Sequence, residues 1–455
     1  MPRTTWRLAA VLSLLALAHT AGAAGRPRYG GALRVEMRAA LQALDPAEPG
    51  EAAARLAPLV FDRLVRIDRR GEARPALAVS WTHDPAQRRW QFRLRPGVRF
   101  HDGSLLAAGP VLAAALGSVL PGYAVTTAGD ALVVECPRPH PGLPLELGRR
   151  GWVFSRTAGG AATGTGPFRL AGLEPGRRAV FTANQEYWGG RPFLDAVEVE
   201  MGRTAREQWI DLEVGKADLV ELGPADVRRA ADRGRTVWSS APVTLFAVVF
   251  QDGRPAETRL REALALSLDR AAIHNVLLQR RGEIAGGLLP QWLSGWGFLF
   301  PSSGDLGRAR ELVARLPAGA RVISLAYEAG DPLARAVAER IAVNARDAGI
   351  ALHASPRIAG PDARLVALPI GTPDPAQALE ELAAALGYEE WPRHATPEAL
   401  YGAERTLLEG FRVAPLFHLP QDYGVSPRVR VWAPPAVGQV GGLRLADVWI
   451  DGARP

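Results

Sequence analysis

The most informative stretch of the sequence spans residues 92–103 and reads FRLRPGVRFHDG. Together with Trp90 before it, its first part alternates apolar and polar residues, a pattern that predicts a strand with one buried face. A Pro-Gly pair at 96–97 predicts a turn, after which apolar residues alternate again. We therefore expect a β-hairpin here, with Asp102 as the turn residue that caps its end.

The sequence contains no constellation that indicates catalysis. The adjacent His101 and Asp102 would point to opposite faces of a strand end, so they cannot easily serve one reacting atom. The glycine-rich stretch 159–166 lacks the lysine of a phosphate-binding loop. The eight histidines never stand three or four residues apart, and Cys136 is the only cysteine. We predict no enzyme, no catalytic residues, no metal site and no cofactor.

The charge balance is basic but does not indicate a nucleic-acid partner. The formal net charge is +7, and among 54 lysine and arginine residues only Lys216 is a lysine. A high pI is the usual footprint of phosphate binding. Here the arginines are spread along the whole chain among 47 acidic residues, which favours a general preference for arginine over lysine.

Short predicted strands alternate with predicted helices, which indicates an α/β architecture. A strand is expected at residues 32–37, and the most regular helix starts at Asp331, which is a good N-cap before Pro332. Apolar residues then recur every three or four positions until Gly349, which predicts the helix end. The chain is long enough for two packed lobes.

The first 23 residues are expected to be a secretory signal peptide. Arg3 and Arg7 precede an apolar run at residues 8–18 that is too short to span a bilayer, and residues 21–23 read Ala-Gly-Ala. Because Cys136 lies far from this site, no lipid anchor is expected. We predict an exported, soluble, periplasmic protein whose signal peptide is cleaved and which is not a lipoprotein.

Read in order, the motifs of the chain resemble the extracytoplasmic solute-binding proteins of the dipeptide/oligopeptide/nickel class, family 5, which feed ABC importers. The resemblance covers most of residues 30–349. Its strongest part is the stretch 92–103 quoted above. The other matching motifs are Gly30–Leu33, Leu44–Pro46, Leu64–Asp68, Pro75–Trp81, Gly164–Phe168, Asn184–Gly190, Leu260–Leu264 and Leu268–Arg270.

The resemblance implies a type II periplasmic-binding-protein-like fold, in which crossover strands join two lobes around a ligand cleft. Residues 24–243 and 418–455 would form the first lobe, with a subdomain around 45–163, and residues 244–417 the second. It also implies delivery of a small peptide or other modest polar solute to a membrane permease by lobe closure. We expect a monomer. The alternatives are a degenerate binding fold that acts as scaffold or sensor, and a secreted hydrolase.

One departure from the family bears on the ligand. Peptide-binding relatives carry an acid in the second lobe that pairs with the α-ammonium group, and Gly371 stands at the matching position. A buried ammonium without a carboxylate would be costly, so the solute class, including a metal chelate or haem, stays open. The resemblance implies that the cleft is lined by Met37, Arg38, Ile370, Gly371, Thr372 and Asp374. Trp292 and Trp296, in a Gly/Pro-rich stretch of the second lobe, are further candidates, since an aromatic ring can stack on a ligand.

Overall fold

The computed structural model describes residues 26–45, 51–68, 72–120, 122–149, 155–158, 161–251, 258–388, 396–434 and 442–451. The predicted signal peptide lies outside them. The described strands are β1 (Ala32–Glu36), β2 (Val65–Ile67), β3 (Ala73–Pro75), β4 (Ala78–His83), β5 (Arg89–Leu94), β6 (Ala124–Ala128), β7 (Ala131–Glu135), β8 (Arg156–Ala158), β9 (Ala161–Thr163), β10 (Phe168–Glu174), β11 (Arg178–Ala183), β12 (Ala196–Glu200), β13 (Leu219–Leu222), β14 (Thr236–Phe250), β15 (Glu283–Ile284), β16 (Val322–Ala326), β17 (Ala351–Ser355), β18 (Ala363–Pro369), β19 (Val413–Val425), β20 (Val429–Arg430) and β21 (Trp449–Ile450).

The described α-helices alternate with these strands along the chain. They are α1 (Glu51–Val60), α2 (Pro110–Val119), α3 (Leu143–Arg149), α4 (Ala205–Glu213), α5 (Pro224–Asp232), α6 (Thr258–Ser267), α7 (Arg270–Val276), α8 (Gln291–Ser294), α9 (Leu306–Ala314), α10 (Pro332–Asp347), α11 (Pro375–Ala385) and α12 (Pro397–Glu409). Among the described residues, no helix combines the length and the apolar character that a membrane crossing needs.

A mixed sheet of eleven strands runs through the molecule in the order β10-β11-β12-β1-β13-β19-β14-β18-β16-β17, with β15 paired to β19. Its two longest strands, β14 and β19, pair with each other antiparallel from one half of the sheet to the other. At one end β19 pairs with β13, and at the other end β14 pairs with β18. These two strands therefore cross between the two halves, as expected of crossover strands.

Separate hydrophobic cores fill the two halves. In the first half, Leu33, Val35 and Met37 of the β1 region pack with residues of α1 and β10–β13. In the second half, one core lies among β14, β16, α6, α9 and α10, and another lies among β14, α11 and α12. Because alternate residues of β1 face the core, Arg34 and Glu36 share the opposite face of the strand.

A four-stranded sheet, in the order β4-β5-β7-β6, forms a third packed unit. The predicted buried face of β5 is confirmed, since Trp90 and Phe92 are buried. The predicted hairpin is wrong: β5 pairs with β4 and β7 and not with residues 98–100. Residues 99–105 instead form a tight turn, in which Asp102 Oδ1 accepts from Ser104 N at 2.8 Å. The alternation of apolar and polar residues predicted the strand correctly. The strand pairs with β7, which is distant in sequence, and not with the adjacent residues 98–100.

The helix predicted from Asp331 to Gly349 is confirmed as α10. Asp331 Oδ1 accepts from Leu333 N at 2.8 Å and from Ala334 N at 3.2 Å, which satisfies two unpaired amide groups of the first turn. Gly349 follows the helix with φ +87°, a conformation that favours glycine. The sequence thus fixes the point where this helix starts, and that point borders the cavity described next.

Candidate functional site: a cavity between two walls

A cavity of about 1570 Å³ lies between the two halves of the long sheet. The first wall consists of the loop after β1, the β13 end, the first turns of α4 and α5, and Asp422 and Tyr423 of β19. The second wall consists of β18, the second-half parts of β14 and β19, the end of α7 and the loop between β16 and α10. The space is large enough for a small solute that would touch both walls.

Glu221 of β13 anchors two arginines of the first wall. The main-chain N and the Nε of Arg38 donate to Glu221 Oε2 at 2.9 and 3.1 Å, and Arg55 Nη1 donates to Oε1. Burial raises the pKa of Glu221, but the charges of Arg55 and Arg38 outweigh burial and hold the pKa below its usual range. The Glu221 side chain is 5% exposed and that of Arg38 is 46% exposed, so the group presents Arg38 to the cavity. We call Arg38, Glu221 and Arg55 the open cluster.

A second buried carboxyl lies beside the open cluster, on the same face of β1. Arg203 Nη2 donates to Asp211 Oδ2 at 2.6 Å, and Arg203 Nε lies 3.8 Å from Glu36 Oε2. Burial, together with a hydrogen bond and charge repulsion from Asp211, raises the pKa of Glu36 to about 7. The Glu36 carboxyl group behind the first wall is therefore mostly protonated below about pH 7.

Three helix N-termini border the cavity. Thr204 caps α4 in a capping box with Glu207, Gly223 precedes Pro224 of α5, and Asp331 caps α10 on the second wall. Carboxylates already pair with the first turns of α4 and α10, whereas α5 has no side-chain cap, so the partial positive charge of its first turn adds to the charge of the arginines.

Where the crossover strands meet the cavity, Arg281 of the second wall bridges both strands. Its Nη2 donates to Ser239 Oγ of β14 at 2.6 Å and to Asp422 Oδ1 of β19. Burial raises the pKa of Asp422, and the contacts from Ser239 and Arg281 oppose that rise. This bridge ties the segment after α7 to the first-half ends of β14 and β19.

The structure brings one of the predicted ligand residues, Arg38, into the lining of the cavity. Met37 is buried in the core below it and borders a much smaller cavity of about 10 Å³. Trp292 is 40% exposed and donates from Nε1 to Pro242 O at 2.9 Å, next to the crossing of β14. Trp296 is buried and donates from Nε1 to Glu404 Oε2 at 2.9 Å within the second-half core.

The predicted stretch 370–374 lies at the end of β18 and at the start of α11. Ile370 belongs to the second-half core, and the buried Thr372 accepts from Asp374 N through Oγ1 at 3.1 Å. Asp374 caps α11 by accepting from Gln377 N. Neither these residues nor Gly371 belong to the lining of the 1570 Å³ cavity. Their role as ligand contacts stays a prediction.

Sequence reasoning missed most of the charged residues that line the cavity. One signal was present: Glu221 is an acid inside the apolar run 219–222, and a charge in a buried strand needs a partner. The remaining charged lining residues gave no local signal of a place in the cavity, because the two walls come together from distant parts of the chain. They are Arg55, Arg203, Arg206, Asp226, Arg229, Arg281, Glu328, Asp331, Arg364 and Asp422.

Within the described part of the chain, no group of three or more histidine, cysteine, aspartate and glutamate residues is arranged to hold a metal ion. Cys136 is buried in the core of the four-stranded sheet, where burial raises the pKa of its thiol to about 11. A thiol with such a pKa is a poor nucleophile and a poor ligand at neutral pH.

Comparison with known proteins gives consistent matches. The family of bacterial extracellular solute-binding proteins, family 5 Middle, matches residues 147–360. The probable D,D-dipeptide-binding periplasmic protein DdpA of Escherichia coli (strain K12) is 23% identical over 256 residues, which cover 49% of this chain and 48% of that protein. The chain matches less than half of the length of the first curated relatives.

Solved structures match over nearly the whole chain. NikA from Staphylococcus aureus in complex with Ni(L-His)2 has a TM-score of 0.79 at 16% identity, covering 92% of this chain and all of the other. The dipeptide binding protein from Pseudoalteromonas sp. SM9913 in complex with Met-Leu has a TM-score of 0.79 at 15% identity, with the same coverage of this chain. At these identities the matches show the fold, and they confirm the predicted two-lobe α/β architecture.

Proposed function

We propose that the chain, whose residues 147–360 match family 5 of the bacterial extracellular solute-binding proteins, is a member of that family and binds a small peptide or another modest polar solute for an ABC-type importer. The carrying observation is the cavity of about 1570 Å³, because residues of both halves of the sheet line it. A solute held there would touch both walls at once, so its binding would favour a state in which the walls are close together.

The crossover strands supply a place for such a closure. Pro242 of β14 lies opposite Pro420 of β19, and the register of the ladder shifts on both sides of Pro242. Proline has no amide hydrogen to donate, so the ladder is interrupted where the strands pass from one half to the other. We propose that the two lobes move about this point, with residues 24–243 and 418–455 in the first lobe, including a subdomain around 45–163, and residues 244–417 in the second.

The remaining parts of the proposal concern the role and location of the protein. We propose a non-enzymatic, monomeric binding protein that is exported to the periplasm without a lipid anchor and docks on a membrane permease in its closed form. The size of the cavity supports a working binding site over a degenerate fold whose cleft is filled by its own side chains.

Native mass spectrometry of the freshly purified protein, followed by a thermal-shift screen, tests the proposal. The panel contains dipeptides, oligopeptides, amino acids, sugars, opines and nickel–histidine complexes. A ligand at 100 times its Kd should stabilise the protein by about 2.7 kcal/mol. Small-angle scattering should then show a smaller radius of gyration with that ligand. The absence of stabilisation by every class would contradict the proposal.

Two valine variants show whether a ligand binds in the cavity. Val276 is 70% exposed at the end of α7 and lines the cavity, whereas Val322 is 55% exposed at the start of β16 and lies outside the lining. We expect Val276→Trp to weaken binding by about tenfold or more, since overfilling a site typically costs 1–3 kcal/mol. Val322→Trp should leave the affinity unchanged. Equal effects of the two variants would place the binding site elsewhere.

A further inference from the structure

The charged residues that line the cavity include two more arginines than acids. The arginines are Arg38, Arg55, Arg203, Arg206, Arg229, Arg281 and Arg364, and the acids are Glu221, Asp226, Glu328, Asp331 and Asp422. Most of them contact each other or residues behind the walls, so their hydrogen-bond donors and acceptors are already paired within the protein. A solute is recognised by the donors and acceptors that are left over, so these decide its class.

Arg38 has donors left over in a fixed position. Glu221 Oε2 accepts from its main-chain N and from its Nε, which sets the plane of the guanidinium group. Among the described residues, no hydrogen-bond partner is found for its two terminal nitrogens. Burial lowers the pKa of Arg38, but Glu221 and Asp331 outweigh burial and raise the pKa, so the group is always charged. A guanidinium held in this way can donate two parallel hydrogen bonds to a carboxylate.

Two more guanidinium groups line the cavity from opposite sides. Arg206 lies in the first turn of α4 on the first wall, and Arg364 lies on β18 on the second wall. Both are exposed, and neither has a side-chain partner among the described residues. A solute that touches both walls would therefore meet cationic donors on each.

More of the acids than of these three arginines use their side chains in hydrogen bonds within the protein. Glu221 holds the open cluster, Asp226 Oδ1 accepts from Arg229 at 2.9 Å, and Asp422 accepts from Arg281. Asp331 caps α10 through Oδ1. Glu328 is the one cavity acid whose side chain lacks a partner among the described residues. Apart from Glu328, an ammonium group would thus find little uncommitted negative charge in the cavity.

We infer that this cavity binds a carboxylate-bearing, anionic solute, with Arg38 as its anchor on the first wall and Arg364 as its contact on the second. The inference rests on the proposed function and specifies the class of solute. The N-terminus of α5, which has no side-chain cap, adds favourable charge for the same class. A free α-ammonium group on the solute is not required.

Matched probes that differ only in charge test this inference. Thermal shift and calorimetry are run with succinate, glutarate and N-acetyl-alanyl-leucine, and with the corresponding amides, which lack the carboxylate. Alanyl-leucine amide serves as the probe that carries only an ammonium group. We expect stabilisation by at least one of the carboxylates and none by its amide. Equal or tighter binding of an amide or of the ammonium probe would overturn the inference.

The wider panel separates this inference from the proposed function. If none of the carboxylate probes binds while a neutral sugar does, the inference is wrong and the proposed function stands. If nothing binds at all, both are contradicted.

Arginine variants provide the second arm of the test. With the best carboxylate probe, Arg38→Gln should weaken binding by about 30-fold or more, since removing one partner of a desolvated charge pair typically costs at least 2 kcal/mol. Arg38→Lys should lose much of that affinity, because lysine keeps the charge but lacks the fork. Arg364→Gln should weaken binding by about tenfold, as a test from the other wall.

The matched control is Arg335→Gln, since Arg335 is an exposed arginine of α10 that pairs with Glu339 outside the cavity lining. It should bind the probe as the wild type does. Melting temperatures without ligand show whether Arg38→Gln is folded. A folded Arg38→Gln and a folded Arg364→Gln that both keep wild-type affinity would overturn the assignment.

Discussion

Two arginine–carboxylate clusters stand side by side on the same strands, and their donors are used differently. The open cluster faces the cavity. The second cluster consists of Asp218, which directly precedes β13, with Arg34 of β1 and Arg428. Nε and Nη2 of Arg34 donate to Asp218 at 3.0 and 3.1 Å, and Nε and Nη2 of Arg428 donate at 2.6 and 2.7 Å. We call this group the closed cluster.

The difference lies in how much donor capacity remains. In the closed cluster both arginines bind Asp218 through two nitrogens, and Arg428 Nη2 also donates to Ala32 O, so the group joins β1, β13 and the segment after β19. In the open cluster Arg38 uses only Nε and its main-chain amide on Glu221. Two clusters of equal composition can therefore serve different ends: bidentate pairing stabilises the fold, whereas single-nitrogen pairing orients an arginine toward a ligand.

Among variants of the closed cluster, Asp218→Asn should lower the free energy of unfolding the most. The Asp218 side chain is 1% exposed, and its removal leaves two guanidinium groups without their shared counterion, so we expect the free energy of unfolding to fall by about 3 kcal/mol. Solute affinity should stay the same, because Asp218 does not line the cavity. Chemical denaturation and calorimetry measure the two quantities. A loss of affinity with unchanged stability would reverse the roles assigned to the two clusters.

Strand β1, between the two clusters, is predicted from the sequence, but the clusters themselves are not. Alternation along residues 32–37 predicts that Leu33 and Val35 face a core, and hence that Arg34 and Glu36 share the other face. Nothing local tells which carboxylate each arginine will meet. Asp218 and Glu221 lie more than 180 residues away in sequence, and their positions depend on the pairing of β1 with β13.

The predicted ligand residues also show what local sequence signals can and cannot predict. Asp374 and Pro375 stand out in sequence, and the structure gives them a local role, because they cap and begin α11. Trp296 stands out as an aromatic residue in a Gly/Pro-rich stretch, yet its indole N–H binds the buried Glu404. Local signals identify helix starts and core aromatics well. The cavity lining is set by the way two walls meet, which single-sequence patterns do not encode.

Glu36 lies on β1 between the two clusters and gives a pH-dependent test of their surroundings. Its pKa rises from 4.5 to about 7 in the folded protein, so the folded state holds a proton that the unfolded chain has released. The free energy of unfolding should therefore fall as the pH rises from about 4.5 to about 7, by on the order of 2 kcal/mol from this group. Glu36→Gln should remove that part of the slope.

Asp62, whose pKa burial raises to about 6, adds to the slope in the same range. Its contribution is present in every variant, so the difference between Glu36→Gln and a control variant gives the contribution of Glu36. Glu339→Gln, on the exposed side of α10, should keep the wild-type slope. Denaturation is measured for all three proteins between pH 4.5 and pH 8. If Glu36→Gln and the wild type lose stability in parallel over this range, the raised pKa does not belong to Glu36.

The smallest effect, and the most direct comparison of the clusters, comes from Arg34→Gln against Arg38→Gln. The two arginines are four residues apart and similarly exposed, at 36% and 46% of their side chains. Arg34→Gln removes a bidentate contact to a buried carboxylate, and because the arginine is partly solvated we expect a stability loss of about 1 kcal/mol. Arg38→Gln removes one side-chain bond to Glu221, which keeps Arg55, so the loss should be about half as large.

The affinity for a carboxylate probe should change in the opposite order, with a large loss in Arg38→Gln and none in Arg34→Gln. Denaturation and calorimetry on the same preparations give both orders, and stability and affinity losses that rank the two variants in the same way would show that the clusters do not differ in function.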